Sequence, residues 1–329
     1  MAIRTGLGAQ LGLSAETTYG TYVAPARTLE FTSEGLTVNR ERIESSGIRK
    51  GSTVRRAGRW ADNRKGGGGP LSMELATKGF GLLLKHAMGS VAITTPVGST
   101  NARRHRHTLG DLDDLSLTIQ KGVPDTETGT VRPFNFLGCV ITEWELSVDV
   151  DGLVQVSYTV DAQDVETSSA LAATAFPAND ELFSYQQVAV TVDGGAVLPT
   201  QLSVSVGHGM NTSRYFVRAS ALKKRPLIAD MRDLRGTMTL EFESMTQANY
   251  FLNAAPGAEV AFSAVATGDL IDGTTSYGLT ASATKVRFDD GFPVVQGPDV
   301  VTISAPFVIL DDSSNPPLTV DYFTTDVAS

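Results

Sequence analysis

Gly69-Pro70-Leu71-Ser72-Met73-Glu74-Leu75 and, 167 residues further on, Gly236-Thr237-Met238-Thr239-Leu240-Glu241-Phe242 decide the reading of the fold. In each, apolar residues alternate (Leu71, Met73, Leu75; Met238, Leu240, Phe242), which is the period of a strand with one buried face. Thr77 and Ser244 then stand in register as helix N-caps. They precede short helical patterns over residues 78–86 and 245–253, which end at Gly89 and at Pro256-Gly257. A strand, a cap, a short helix and a glycine stop at one fixed offset predict a unit used twice. Repetition of that kind favours assemblies over solitary active sites.

A chain of 329 residues can bury a substantial core, and its length predicts two domains, in step with the repeat. Hydrophobic residues at 41% and charged residues at 19% belong to a globular chain. Abundant Val, Thr, Ser and Gly beside 7% aromatics point to strands. No run nears the roughly 18 apolar residues of a membrane span. The opening Met-Ala-Ile-Arg-Thr-Gly-Leu-Gly lacks the apolar core of a secretory signal. Cys139 is the single cysteine, so no internal disulfide forms, and a reducing cytosol with Cys139 as a small buried hydrophobe is expected.

The net charge of −9 is unevenly spread. Residues 40–65 hold nine bases against three acids, whereas after Arg287 there is no base and seven aspartates. Basic and acidic surfaces on one chain can attract each other between copies. A general DNA-binding protein needs the opposite overall balance.

Along the chain, residues 1–30 carry Gly6, Gly8, Gly12 and Gly20 and read as an arm lying on something else. A first β domain is expected over residues 31–166, interrupted at 40–69 by a long basic loop or extended hairpin ending in four glycines. Residues 92–114 read as a loop with the basic run Arg103-Arg104-His105-Arg106, and strands return at 115–119 and 134–141. The clearest hairpin signal is residues 144–150, Asp151-Gly152, and residues 153–160. Its counterpart is expected at 284–288 and 300–303 about a turn at Asp290-Gly291, an offset of 139 residues. Small polar residues 167–180 read as a linker, residues 181–312 as a second β domain opening with a hairpin at Asp193-Gly194, and residues 313–329 as a tail.

Nothing along the chain points to catalysis, a cofactor or a metal. Gly6, Gly8 and Gly12 follow no strand, and the third glycine is one place late for a dinucleotide loop. His105 and His107 lie near Asp111, Asp113 and Asp114, but adjacent arginines oppose a cation, and a solvated loop is the favoured reading. His86 and His208 have no partner evident in sequence, and no Gly-x-Ser-x-Gly elbow occurs. For the basic segment, three readings compete: a nucleic-acid patch, a solvated loop and an inter-subunit contact. The first has only Trp60 as a stacking aromatic. The third explains length, charge and glycines together, and names Arg40, Arg42, Arg49, Lys50, Arg55, Arg56, Arg59 and Trp60 as contact residues.

Several stretches resemble the long-tailed bacteriophage tail tube protein family. They are Gly8-Ala9-Gln10-Leu11-Gly12, Glu16-Thr17-Thr18-Tyr19-Gly20-Thr21, Pro25, Arg27, Leu29-Glu30-Phe31 and Ser33-Glu34-Gly35-Leu36. Ser46-Gly47-Ile48-Arg49, Arg55, Arg59 and Gly79-Phe80-Gly81-Leu82-Leu83-Leu84-Lys85 continue the likeness, which is strongest over residues 1–90. The resemblance implies a mainly β fold of two tandem tail-tube-like sandwich or barrel domains, each with a short flanking α-helix. It implies a non-enzymatic virion protein, assembled in the host cytoplasm, whose rings stack into a hollow tube. That tube would enclose a tape-measure protein, meet tail-terminator and baseplate or tail-tip proteins, and pass genomic DNA without specific binding or membrane insertion. With two units per chain, a trimeric ring of pseudo-sixfold symmetry is expected over a hexamer. A β-sandwich adhesin that binds carbohydrate is the alternative, and a β-rich hydrolase a more distant one.

Overall fold

The computed structural model describes residues 3–245, 259–295, 297–298 and 300–329. It is mainly β. In chain order the first half supplies β1 (Gln10–Ala15), β2 (Arg27–Leu29), β3 (Ser33–Glu34), β4 (Thr37–Glu44) and β5 (Trp60–Glu74), then α1 (Gly81–Met88). It continues with β6 (Gly89–Thr94), β7 (Arg103–Leu109), β8 (Leu117–Pro124), β9 (Val131–Asp149), β10 (Gln155–Ala162) and β11 (Asp164–Glu166). The second half supplies β12 (Val188–Val192), β13 (Gly195–Val197), β14 (Pro199–Gly207), β15 (Met210–Asn211), β16 (Leu227–Ile228) and β17 (Asp233–Glu241). It ends with β18 (Val260–Asp272), β19 (Thr275–Phe288), β20 (Thr302–Ile309) and β21 (Thr319–Thr324).

One antiparallel sheet runs β4–β5–β10–β9–β14–β17–β20 through both halves of the chain. A second layer runs β13–β12–β18–β19–β21–β7–β6. The apolar faces of the two meet: Leu202 and Val204 share a cavity lining with Ala264, Ala266 and Leu279, and the Phe262 and Phe307 rings lie 5.0 Å apart. A smaller sheet, β2–β1–β8–β9–β11, uses the first half of β9.

The repeat seen in sequence is a repeat of ladder register. Leu71 in β5 stands opposite Tyr158 in β10, and Met238 in β17 stands opposite Ala305 in β20. Val160 faces Ile141 in β9, and Phe307 faces Phe288 in β19. The ladders therefore set an offset of 147 residues for the hairpin, replacing the 139 obtained by matching Asp151-Gly152 to Asp290-Gly291. Those dipeptides are not equivalent, because a turn residue is free to drift where a paired strand is not. In the first hairpin the left-handed residue is Asp151 (φ 65°) rather than the glycine.

Several expectations change. Residues 1–30 are not an arm: Leu11 and Leu13 are fully buried, because β1 lies between β2 and β8. Residues 313–329 are not a tail: β21 sits between β7 and β19, with Leu318, Val320 and Tyr322 in the core. Residues 92–114 are not one loop, since β6 and β7 form a hairpin there. Thr77 does not cap α1. Its N–H donates to the Glu181 carbonyl and its hydroxyl accepts from the Glu181 N–H at 2.9 Å, so the helix starts only after Phe80. It ends as expected at Gly89, which is left-handed (φ 95°). The expected second helix at 245–253, with its stop at Pro256-Gly257, lies outside the described residues except for Met245.

The four glycines read as the end of a loop lie inside β5. At Gly68 a Cβ would fall 2.2 Å from the Val160 carbonyl oxygen, and at Gly69 2.1 Å from that of Gly35. Both have positive φ (138° and 149°), so only glycine fits where β5 is pressed between its neighbours. Residues 167–180, read as a linker, are irregular but strapped down. The Ala172 N–H donates to Gln120 Oε1 at 2.7 Å, the Thr28 N–H donates to the Ala175 carbonyl, and the Ala175 N–H donates to Thr28 Oγ1 at 2.9 Å.

Candidate assembly surfaces

Alternation places the solvent face of the long sheet with no freedom of choice. Ser72, Ser157, Glu145 and Ser205 are successive cross-strand partners, as are Ser147, Ser203, Thr237 and Pro306. The same face carries Glu74, Glu143, Glu145, Asp149, Asp233 and Glu241 against, besides Arg64 at the hairpin end of β5, one base, Arg235. That base is held by Asp233 at 2.6 Å. The face is therefore small and polar across six strands of both halves, with its acids on β5, β9 and β17. No local signal in the sequence singles out these acids. The alternation of residues 144–160 gives each strand its two faces, but only the register shows that separate strands pool their charges on one side.

The basic segment is the extended hairpin β4–β5. Of the residues expected to make contacts, Arg40, Arg42, Arg49, Lys50, Arg55, Arg59 and Trp60 are exposed and Arg56 is half-buried. The structure brings some together: the Arg42 guanidinium lies 4.7 Å from the centre of the Trp60 ring, and Arg55 pairs with Glu44. Arg49 and Lys50 stand apart at the tip beside Ile48, which is wholly exposed. Apolar Val38, Ile43 and Val54 are exposed on the same hairpin. Surface ion pairs of this kind contribute little to the fold, and a solvated arginine–isoleucine hairpin gains nothing from its apolar residues while it stands free.

The second half has a counterpart. Between β14 and β17, residues 208–232 make the excursion that residues 45–59 make between β4 and β5, but they fold back on the first half. The Lys65 N–H donates to the Ala221 carbonyl at 3.1 Å, and Tyr215 Oη donates to the Lys65 carbonyl at 2.9 Å. Lys223, buried, pairs with Asp161 at 2.5 Å. Burial pushes the Asp161 carboxyl up against the opposing pull of that ammonium.

His105 and His107 are not on a solvated loop. On β7 they point into the core while Arg104 and Arg106, on the other face, share Asp321 at 2.6 and 3.0 Å. All four histidines of the chain are buried. Burial, then the His105 charge, lowers His107 to about 3. Burial, against a bond to the Leu82 carbonyl, lowers His86 to about 4, and burial with the Arg232 charge lowers His208 to about 4. Among the described residues no three His, Cys, Asp or Glu side chains are grouped to hold a metal ion, and no helix is long and apolar enough to cross a membrane. Cys139 is buried and its thiol is pushed up by burial.

A family model described as phage tail tube protein matches residues 6–309 of the chain. No curated protein matches it.

Proposed function

The chain belongs to the phage tail tube protein family, and from that premise we propose that it builds a tube wall from two units per chain, three chains to a ring. As a member of the family it is a structural, non-enzymatic component of the virion tail. The observation that carries the proposal is the sheet β4–β5–β10–β9–β14–β17–β20, in which the same register occurs twice and β9 joins β14 as one unit joins the next. A ring closed from such units has pseudo-sixfold symmetry with three subunits, and heterologous stacking of rings makes a filament. The domain reading goes with it: two wall units within residues 31–312.

In this reading the acidic face lines the lumen. Carboxylates there repel phosphates, so DNA slides instead of sticking, and the tape-measure protein occupies the same space before ejection. The β4–β5 hairpin residues Arg40, Arg42, Arg49, Lys50, Arg55, Arg56, Arg59 and Trp60 make contacts between subunits. Tail-terminator and baseplate or tail-tip proteins meet the two ends. The purified chain is expected to form tubes as its concentration rises, and the mass per ring, from native mass spectrometry or microscopy, is expected to equal three chains. Six chains per ring would overturn the two-unit wall, and a persistent monomer would overturn the tube.

A further inference from the structure

One pair of opposite charges is buried where its attraction contributes little. Lys223 Nζ lies 2.5 Å from Asp161 Oδ1, with the two side chains 5% and 16% exposed. The next most buried pair among the described residues, Lys121 with Glu34 at 2.6 Å, is 23% and 18% exposed. An ion pair taken out of water adds little net stability, because desolvation offsets the attraction. Yet the fold holds this pair from both sides. Asp161 stands on β10 opposite Gly68 of β5 and Val140 of β9. The Lys223 carbonyl accepts from Gln163 Nε2 at 2.9 Å, and the nearby Ala221 carbonyl accepts from the Lys65 N–H. Gly66 leaves room for the ammonium: a Cβ there would already touch Lys223 Nζ at 3.4 Å, so a longer side chain would displace it. Asp161 Oδ2 is buried with no hydrogen-bond partner among the described residues. Glu16, whose charge acts together with that of Asp161 on Cys139, does not compete for Lys223. Its carboxylate accepts from the Gly20 and Gly138 N–H groups and from the Ser116 and Thr118 hydroxyls.

We propose that Lys223 and Asp161 condense to an amide, an intramolecular isopeptide bond that fastens the 208–232 excursion to β10. A proton first passes from Nζ to the carboxylate, which leaves a neutral amine beside a neutral carboxylic acid. The Nζ lone pair then forms a bond to Cγ. A second Nζ proton moves to the hydroxyl oxygen, the bond from Cγ to that oxygen breaks, and the oxygen leaves as water. Nothing is oxidised or reduced, and no further reactant enters. Asp161 Oδ2, which no donor holds, is the oxygen free to take the protons and depart. Burial favours the first step, since it pushes the Asp161 carboxyl up against the pull of the ammonium. Groups held in a reactive geometry gain effective molarities of about 10⁵–10⁸ M, and exclusion of bulk water hinders the reverse hydrolysis. The bond closes a ring across 62 residues of chain and, as a disulfide does, constrains the unfolded state. Until it closes, the two residues remain the ion pair described above. The inference does not depend on how many chains make a ring.

The mass of the full chain, incubated folded and then denatured, tests the bond. Most chains are expected to weigh one water less than the sequence requires. Trypsin is expected not to cut after Lys223, and the digest to contain a branched peptide that joins Lys223 to Asp161. Lys121 and Glu34, as close but more exposed, are expected to stay unlinked. Lys223→Arg keeps the positive charge but has no amine to acylate, so it is expected to show the full mass and no branched peptide. The full mass in the folded parent chain, with ordinary cleavage after Lys223, would overturn the bond and leave a buried ion pair. A missing water that maps to any other pair of residues would overturn it as well. Both readouts are taken on the single chain, so a failure to form tubes would count against the tube reading and leave this result standing.

Discussion

The four buried histidines give this chain a defined response to acid. In the folded state burial disfavours the imidazolium, while in the unfolded state each ring titrates near its ordinary value of about 6.5. The unfolded chain therefore binds protons first as pH falls, and stability declines below about pH 6.5 until the buried rings protonate, near 3 for His107 and near 4 for His86 and His208. At pH 5 each of these three rings is expected to cost roughly 2 kcal/mol. Groups facing His107 act on it from both sides, with Lys85 lowering and Asp321 raising its proton affinity. Burial pushes Asp321 up, but the bonds from Arg104 and Arg106 outweigh it, so its protonation adds to the loss at lower pH. Asp161, raised by burial, opposes it. His107→Leu is expected to narrow the difference in denaturation midpoint between pH 7.5 and pH 5 for the unassembled chain. An identical difference in variant and parent would remove His107 from this account.

At the scale of elements, β21 shows what a strand contributes when it lies between two others. It pairs with β7 on one side and β19 on the other, and Tyr322 Oη donates to the Ala76 carbonyl at 2.9 Å. Deleting residues 318–329 would open both ladders and remove the buried Leu318, Val320 and Tyr322, with the burial of an apolar side chain of this size worth roughly 1.5–3 kcal/mol. That loss is of the order of the whole stability of a domain, so the truncated chain is expected to be insoluble on expression. A truncated chain with an unchanged melting temperature would show β21 to be peripheral. The sequence could not reveal this. Ser313-Ser314-Asn315-Pro316-Pro317 breaks the chain locally, and nothing local says that a six-residue strand after it returns to residues more than 200 positions earlier. β7 was hidden for a related reason: in Arg103-Arg104-His105-Arg106 the alternation is of histidine against arginine, which reads as polar throughout until Asp321 and the core appear on opposite sides. By contrast, β5, β9, β10 and the glycine stop of α1 were legible, because period and turn chemistry there agree with the tertiary fold. That the basic segment is an extended hairpin was legible from charge and length. The acidic face was not, since it belongs to no single strand.

For the whole molecule, the balance of charge becomes an arrangement. The basic hairpin projects from one edge of the sheet, and the acids of Glu74, Glu143, Glu145, Asp149 and Glu241 lie on its solvent face. The two have separate uses if chains form a ring: hairpins are consumed at contacts, and the acidic face remains open to whatever passes within. Glu143→Lys with Glu145→Lys tests that separation. Both side chains point away from the core, so folding and tube formation are expected to be retained, with mass per ring unchanged. The same lysines would present cations to DNA phosphates in every ring, and the drag would add along the tube. Ejection from virions carrying the double variant is expected to slow severalfold at low salt. It should recover toward the parent rate as salt is raised, because the Debye length falls from about 30 Å at 0.01 M to about 8 Å at 0.15 M. Ejection at the parent rate in low salt, from tubes of normal mass and form, would place this face away from the DNA path. The acids would then belong to the outside of the tube and the wall would have to be turned over.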